Sequence, residues 1–225
     1  MTFSIAGHCE RTGMFGVAIT TSSICVGARC PHVRAGAGAV ATQNITDPTF
    51  GPRILDLLAN GHGADEALAR ATADRPHLTY RQITVVDSSG STASHTGEHI
   101  LGTHAVAAGR HCIAAGNLLA SPNVPAAMAE GFAANSDRHL AERLLLALEG
   151  GIAAGGEEGP VHSAALLVAH EQPFALVDLR CDWDDVDPVS ALRRLWTDYE
   201  PQMGAYLVRA LDPPSAPSYG VPGNQ

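Results

Sequence analysis

The sequence predicts an α+β fold: a four-layer α/β/β/α sandwich, two stacked antiparallel sheets flanked by helices, in one domain over residues 1–211. Three observations predict it. Strand-like runs come in hairpin groups separated by pairs of helical stretches, whereas doubly wound parallel folds alternate strand and helix one at a time. The 225 residues carry 45% apolar content, enough for one large core. The chain also opens on an alternation of Thr2 and Ser4 with Phe3 and Ile5, the two-residue period of a strand with one polar and one apolar face.

Taken in order, residues 1–10 and 15–24 read as a hairpin turned by Arg11-Thr12-Gly13. A loop at 27–34 leads to a small-residue strand at 36–43. Its Gly36-x-Gly38 pair is not a dinucleotide fingerprint, which needs a strand before it and a helix after. Pro52 suits the first position of a helix at 52–59, and Gly61 and Gly63 separate that helix from another at 64–73. Residues 81–87 and 91–96 make a second hairpin, with one further strand within 104–115. Helices return at 125–134 and 137–149. The latter has Asp137 as its cap, a stripe of Leu140, Leu144, Leu145 and Leu148, and Gly150-Gly151 as its stop. A glycine-rich loop at 150–159 precedes strands at 163–169 and 174–181. Helices from Asp187-Pro188 and at 202–211 close the domain, and 212–225 reads as a disordered tail.

Composition narrows the function classes. With 14 basic against 23 acidic residues, a formal −9, neither nucleic acid nor an anionic membrane is an expected partner. No leader pattern and no run of about 18 apolar residues stands out, so the reading is cytoplasmic. Five scattered cysteines do not make a disulfide framework, and Cys25 and Cys30 lack a second pair at metal spacing. His95, His99 and His104 fall on strand and turn, where a spacing of four does not make a shared face. The acidic run Asp182, Asp184, Asp185, Asp187 lacks the glycine and terminal glutamate of a calcium loop. No metal and no cofactor is expected. All 14 basic residues are arginine, which removes every chemistry that needs a lysine: Walker loops, Schiff bases, Ser-Lys dyads. Arginine does not deprotonate, so the chain terminus is the amine left to act as a base.

Thr2 gains its interest from that. An initiator methionine is commonly trimmed before a residue as small as threonine, and trimming leaves an α-amine of pKa about 7.7–8.0 beside a hydroxyl. One residue then supplies nucleophile and base.

Several segments together resemble a known family: Met1-Thr-Phe-Ser-Ile5, Phe15-Gly-Val-Ala18, Arg34-Ala-Gly-Ala-Gly-Ala-Val-Ala-Thr-Gln43, Gly51-Pro-Arg53, Gly116-Asn-Leu-Leu119, Leu140-Ala-Glu-Arg-Leu-Leu145 and Ser163-Ala-Ala-Leu-Leu-Val168. In order, from Thr2 to near Leu195, they resemble the bacterial and archaeal domain-of-unknown-function family numbered one-zero-two-eight, grouped with the N-terminal nucleophile hydrolases. The resemblance implies the sandwich read above, Thr2 at the nucleophile position and amide hydrolysis as the class chemistry. Where proteasome-like members carry a lysine, this chain offers Arg34.

Around Thr2, Asn117 is the expected amide N–H donor to an oxyanion, and Thr21 or Ser22 the group orienting the amine. Gln43, Asn44, Arg34, Arg53, His162 and Ser163 are expected to contact substrate, the arginines by forking onto a carboxylate. The expected partner is a small linear or cyclic amide, with apolar helix faces available for a homo-oligomer. The alternatives are a non-catalytic member that binds a small ligand or serves assembly, and a cysteine hydrolase using Cys9, Cys25 or Cys30.

Overall fold

In the computed structural model, which describes residues 1–221, the chain builds two antiparallel sheets. β1 (Thr2–Cys9) and β2 (Met14–Thr21) form the opening hairpin, followed by β3 (Pro31–Arg34) and β4 (Gly38–Asn44). Helices α1 (Phe50–Ala59) and α2 (Ala64–Thr72) lead to β5 (Arg81–Asp87), β6 (Thr92–Thr96), β7 (Ala105–Gly109) and β8 (Cys112–Asn117). Then come α3 (Val124–Ala134), α4 (Leu140–Ala153), β9 (Ser163–Ala169), β10 (Val177–Cys181) and α5 (Pro188–Leu211). The six-stranded sheet has the order β10-β9-β2-β1-β8-β7 and the four-stranded sheet β3-β4-β5-β6.

These sheets stack, with α3, α4 and α5 outside the first and α1 and α2 outside the second: the expected four layers. Each layer boundary has its own core. Phe3, Ile5, Phe132, Leu144, Leu148 and Trp196 pack between the first sheet and its helices. Val40, Phe50, Ile54, Ile83 and Val85 pack under α1 and α2. Ala6, Phe15, Val17, Ala39, Val86 and Ile113 fill the seam between the sheets. β1 is buried along its whole length because it is central to the first sheet, and its alternation decides which core each side chain joins.

Several expected boundaries are corrected. The loop expected at 27–34 contains β3, whose register Pro31↔Ala41 to Arg34↔Gly38 makes a tight hairpin with β4. Helix α1 starts at Phe50, whose ring is buried under it, two residues before Pro52. The single strand expected within 104–115 is the hairpin β7–β8, turned at Arg110-His111, with His111 at φ 59. Helix α4 is capped by His139, whose Nδ1 accepts the Ala141 N–H at 3.2 Å, and it runs through Gly150-Gly151. A Cβ at Gly151 would stand 2.9 Å from Met128 and 3.0 Å from Phe3, so glycine here seats the helix and does not end it. The two helices expected after Asp187 are one, with Pro201 inside it; Tyr199, Met203 and Leu207 press one continuous face onto the core across the proline. Of the tail, 222–225 lies outside the described residues. Pro213–Ser215 is a 3-10 turn, and the Arg209 guanidinium reaches the Pro217 carbonyl at 3.1 Å and lies over the Tyr219 ring. No helix among the described residues is long and apolar enough to cross a membrane.

Candidate active site

Even-numbered β1 residues face the second sheet, and the register places Thr2 between Thr21 on β2 and Asn117 on β8. Thr2 is 6% exposed, and its surroundings are polar. Its Oγ1 stands 3.0 Å from Thr21 Oγ1 and donates to the Met1 carbonyl at 2.5 Å; the Thr21 hydroxyl donates to the same carbonyl. Met1 therefore sits over two hydroxyls as their common acceptor, with its thioether methyl against Gly159.

Beneath Thr2 runs a chain of buried amides that joins the sheets. The Ser4 hydroxyl donates to Gln43 Oε1 at 2.6 Å, Gln43 Nε2 donates to Gln82 Oε1 at 2.8 Å, and Gln82 Nε2 donates to the Gly116 carbonyl at 3.2 Å. A backbone carbonyl can only accept, so Gly116 fixes which way Gln82 points, and Gln82 fixes the rest. Its oxygen must face donors, and Asn117 Nδ2 duly meets it at 3.3 Å. Asn117 Oδ1 is then left buried beside Thr2 with no partner. One of the two Asn117 side-chain N–H groups is thus engaged with Gln82, and its oxygen is the unpaired atom that it brings to this end.

A second buried acceptor closes the same end. Glu157, in the glycine-rich loop, forms a bridge with Leu119, and the Glu158 N–H reaches the Leu118 carbonyl at 3.0 Å. Its side chain is 7% exposed and neither carboxylate oxygen has a hydrogen-bond partner in the described structure. Burial pushes this carboxyl up to about 8, against the pull of the chain-terminal ammonium and of the Ser22 backbone N–H. The backbone here is also constrained: Leu118 holds φ 50 and Asn44 φ 68, conformations that cost a non-glycine residue about 1–3 kcal/mol. Asn44 clamps the rim through Tyr80 O at 2.8 Å and Leu101 N at 3.2 Å. Beyond this clamp, Ile45, Tyr80, Arg81, His99 and Leu101 line a groove of about 820 Å³.

The expected site residues thus divide. Thr2, Thr21 and Asn117 meet, with Ser22 at their edge through its N–H. Gln43 lies beneath them as part of the amide chain. His162 stands at the rim, its N–H on the Thr21 carbonyl at 2.8 Å and its ring stacked on Trp183. Ser163 is fully buried, donating to the Ser23 carbonyl at 2.6 Å and accepting from Val26 N at 3.1 Å, so it braces the 23–26 loop. Two residues are placed away from Thr2. Arg34 lies at the β3–β4 turn, roughly 20 Å of strand from Asn44, and pairs with Asp56 at 2.8 Å. Arg53 is on α1, outside the second sheet, bonded to the Arg70 carbonyl at 3.3 Å. Of the cysteines, Cys9 ends β1 far from Thr2, and burial pushes the Cys30 thiol up. Ser4, Gln82 and Glu157 were not anticipated. Ser4 and Gln82 are polar residues on inward strand faces, a signal that alternation alone carries; Glu157 had none beyond an acid in a glycine-rich run.

A family model described as a family of unknown function, DUF1028, matches residues 2–192. Among solved structures, protein SPO2555 from Silicibacter pomeroyi, assigned to the same family, is similar with 33% identity and a TM-score of 0.82, covering 88% of this chain and 85% of its own. Anbu (ancestral beta-subunit) from Yersinia bercovieri is similar at 10% identity and a TM-score of 0.40, covering 91% of this chain and 97% of its own, a likeness too distant to carry an argument. No curated protein matches.

Proposed function

The chain belongs to the DUF1028 family, and on that premise we propose that it is an amidohydrolase of the N-terminal nucleophile type, with Thr2 as nucleophile once Met1 is removed. The observation that carries this reading is the convergence on Thr2 Oγ1 of the Thr21 hydroxyl and the Met1 carbonyl at one end of two central strands. Removing Met1 withdraws that shared acceptor and leaves an α-amine on the same residue as the hydroxyl. The amine takes the hydroxyl proton as Thr2 Oγ1 attacks the substrate carbonyl carbon, then returns it to the leaving amine as the C–N bond breaks. Water hydrolyses the resulting ester, again with the amine as base. The neighbouring groove, apolar at Ile45, Tyr80 and Leu101 and cationic at Arg81, suits a small amide with an apolar body and an anionic or polar end.

The test is turnover of amides, ureides and short peptides by protein with a verified free Thr2 amine. Thr2→Ala is expected to cost at least about 10³-fold and Thr2→Ser far less, while Met1-retaining protein is inactive. Unchanged turnover in Thr2→Ala removes Thr2 from the mechanism. A second reading, a small-ligand binder, is favoured by the seat that Met1 itself occupies: a chain keeping Met1 in its native host has its hydroxyls permanently engaged. Intact mass from that host decides between the two.

A further inference from the structure

Two acceptors at the Thr2 end lack donors. Asn117 Oδ1 and the Glu157 carboxylate are both buried and without partners, although buried polar groups are almost always bonded. Each carries a cost in the Met1-bearing chain, whose Thr2 nitrogen is an amide with a single proton. Trimming changes that nitrogen into a primary amine with up to three. Glu157 is held here from several sides: Leu119 bridges its backbone, the Ser22 N–H lies near its carboxylate without closing a hydrogen bond, and the terminal ammonium is the charge that acts on it. The ends of β1, β2 and β8 that frame it present Thr2, Thr21, Ser22, Asn117 and Leu119, none of which titrates near neutrality.

We propose that Glu157, together with the Asn117 side-chain oxygen, is the seat of the Thr2 α-amine in the trimmed chain, with Glu157 the positioning residue that orients this amine and shares its proton. This rests on the reading of Thr2 as nucleophile. An ordinary α-amine near 7.7–8.0 and a carboxyl that burial raises well above its usual range can exchange one proton and titrate as a pair. With one proton between them the pair divides between ammonium–carboxylate and acid–amine, which the buried, water-poor setting brings close in energy, and in the acid–amine form the amine is free to accept the hydroxyl proton. A chain without lysine thereby keeps its one amine in a basic state.

The absence of lysine also makes the test clean, because the terminus is the protein's only amine. The pH dependence of reductive methylation is measured on trimmed wild type and trimmed Glu157→Gln, with Thr2 at the terminus confirmed by mass. In wild type the amine should titrate over a broad, two-step range. In Glu157→Gln, isosteric with the protonated acid, it should follow a single step displaced by about one pH unit or more to lower pH, since the ammonium has lost its counter-ion. Superimposable curves overturn the proposal. A measurement on wild type alone covers failure of the variant to fold: with ¹³C-labelled glutamate, the Glu157 carboxyl midpoint must move when Met1 is removed, and an unchanged midpoint also overturns it. Neither readout uses turnover, so Glu157 can fail here while Thr2 stands, and Thr2→Ala can keep full turnover whatever these curves show.

Discussion

Gln82 sets the polarity of the whole site. With its nitrogen on the Gly116 carbonyl, its oxygen must receive Gln43 and Asn117, and so the unpaired atom beside Thr2 is an acceptor. Glu157 adds a second, at a stability cost that depends on pH. Its folded value near 8 exceeds the 4.5 of the free side chain, so its contribution is fully present below about 4.5 and is lost as pH rises through about 8. In the Met1-bearing chain, Glu157→Gln should therefore flatten stability against pH and gain on wild type by a few kcal/mol at pH 9, at about 1.4 kcal/mol per unit of displacement. Denaturant titrations at pH 5 and pH 9 check this; an equal difference at both pH values contradicts it. At this scale the sequence was legible only in part. Thr2 announced itself by the alternation around it and by the missing lysine. Glu157 did not, because its burial comes from a bridge to Leu119, far away in sequence.

The elements explain how Thr2 is held so firmly. Gly7 and Gly16 face each other across β1 and β2, and together they form a dent in the first sheet into which Leu144 of α4 and Phe132 of α3 settle. A Cβ at Gly16 would stand 2.5 Å from the end of the Leu144 side chain and 3.0 Å from the Leu167 carbonyl, so the fully buried Leu144 would have to move. Gly16→Ala should accordingly lower stability by about 1–3 kcal/mol, a fall in Tm of about 2–4 °C per kcal/mol. Thermal unfolding checks it, and an unchanged Tm would mean that α4 does not rest on this pair. The elements misread from sequence share this cause. Gly150-Gly151 looked like a helix stop because glycine usually is one, whereas here close contact with Phe3 and Met128 demands it. The β7–β8 turn went unseen because Arg110-His111 is no typical hairpin pair. Pro201 suggested a break that the continuous face of Tyr199, Met203 and Leu207 overrides.

For the molecule as a whole, the grouping of hairpins and helix pairs was enough to predict the four layers, since a sheet with one apolar face can be buried in few ways. It could not say which strand ends come together. That follows from the register within the second sheet and from the Ser4–Gln43 bond across the seam, which bring Asn44 and Arg81 to the Thr2 end and send Arg34 to the other. The sandwich thus gathers a hydroxyl pair and two unpaired acceptors around the start of the chain, with the left-handed Asn44 and Leu118 and the groove beyond Asn44 at the same end of the sheets. The most direct test of this account is peptide mapping by mass spectrometry after a β-lactone is offered to protein with a free Thr2 amine. Attack by a hydroxyl opens the lactone and leaves its whole mass as an ester. The account predicts that ester on Thr2, and none on protein retaining Met1; an adduct on Cys25 or another cysteine, or a Thr2 that stays unmodified, would contradict it.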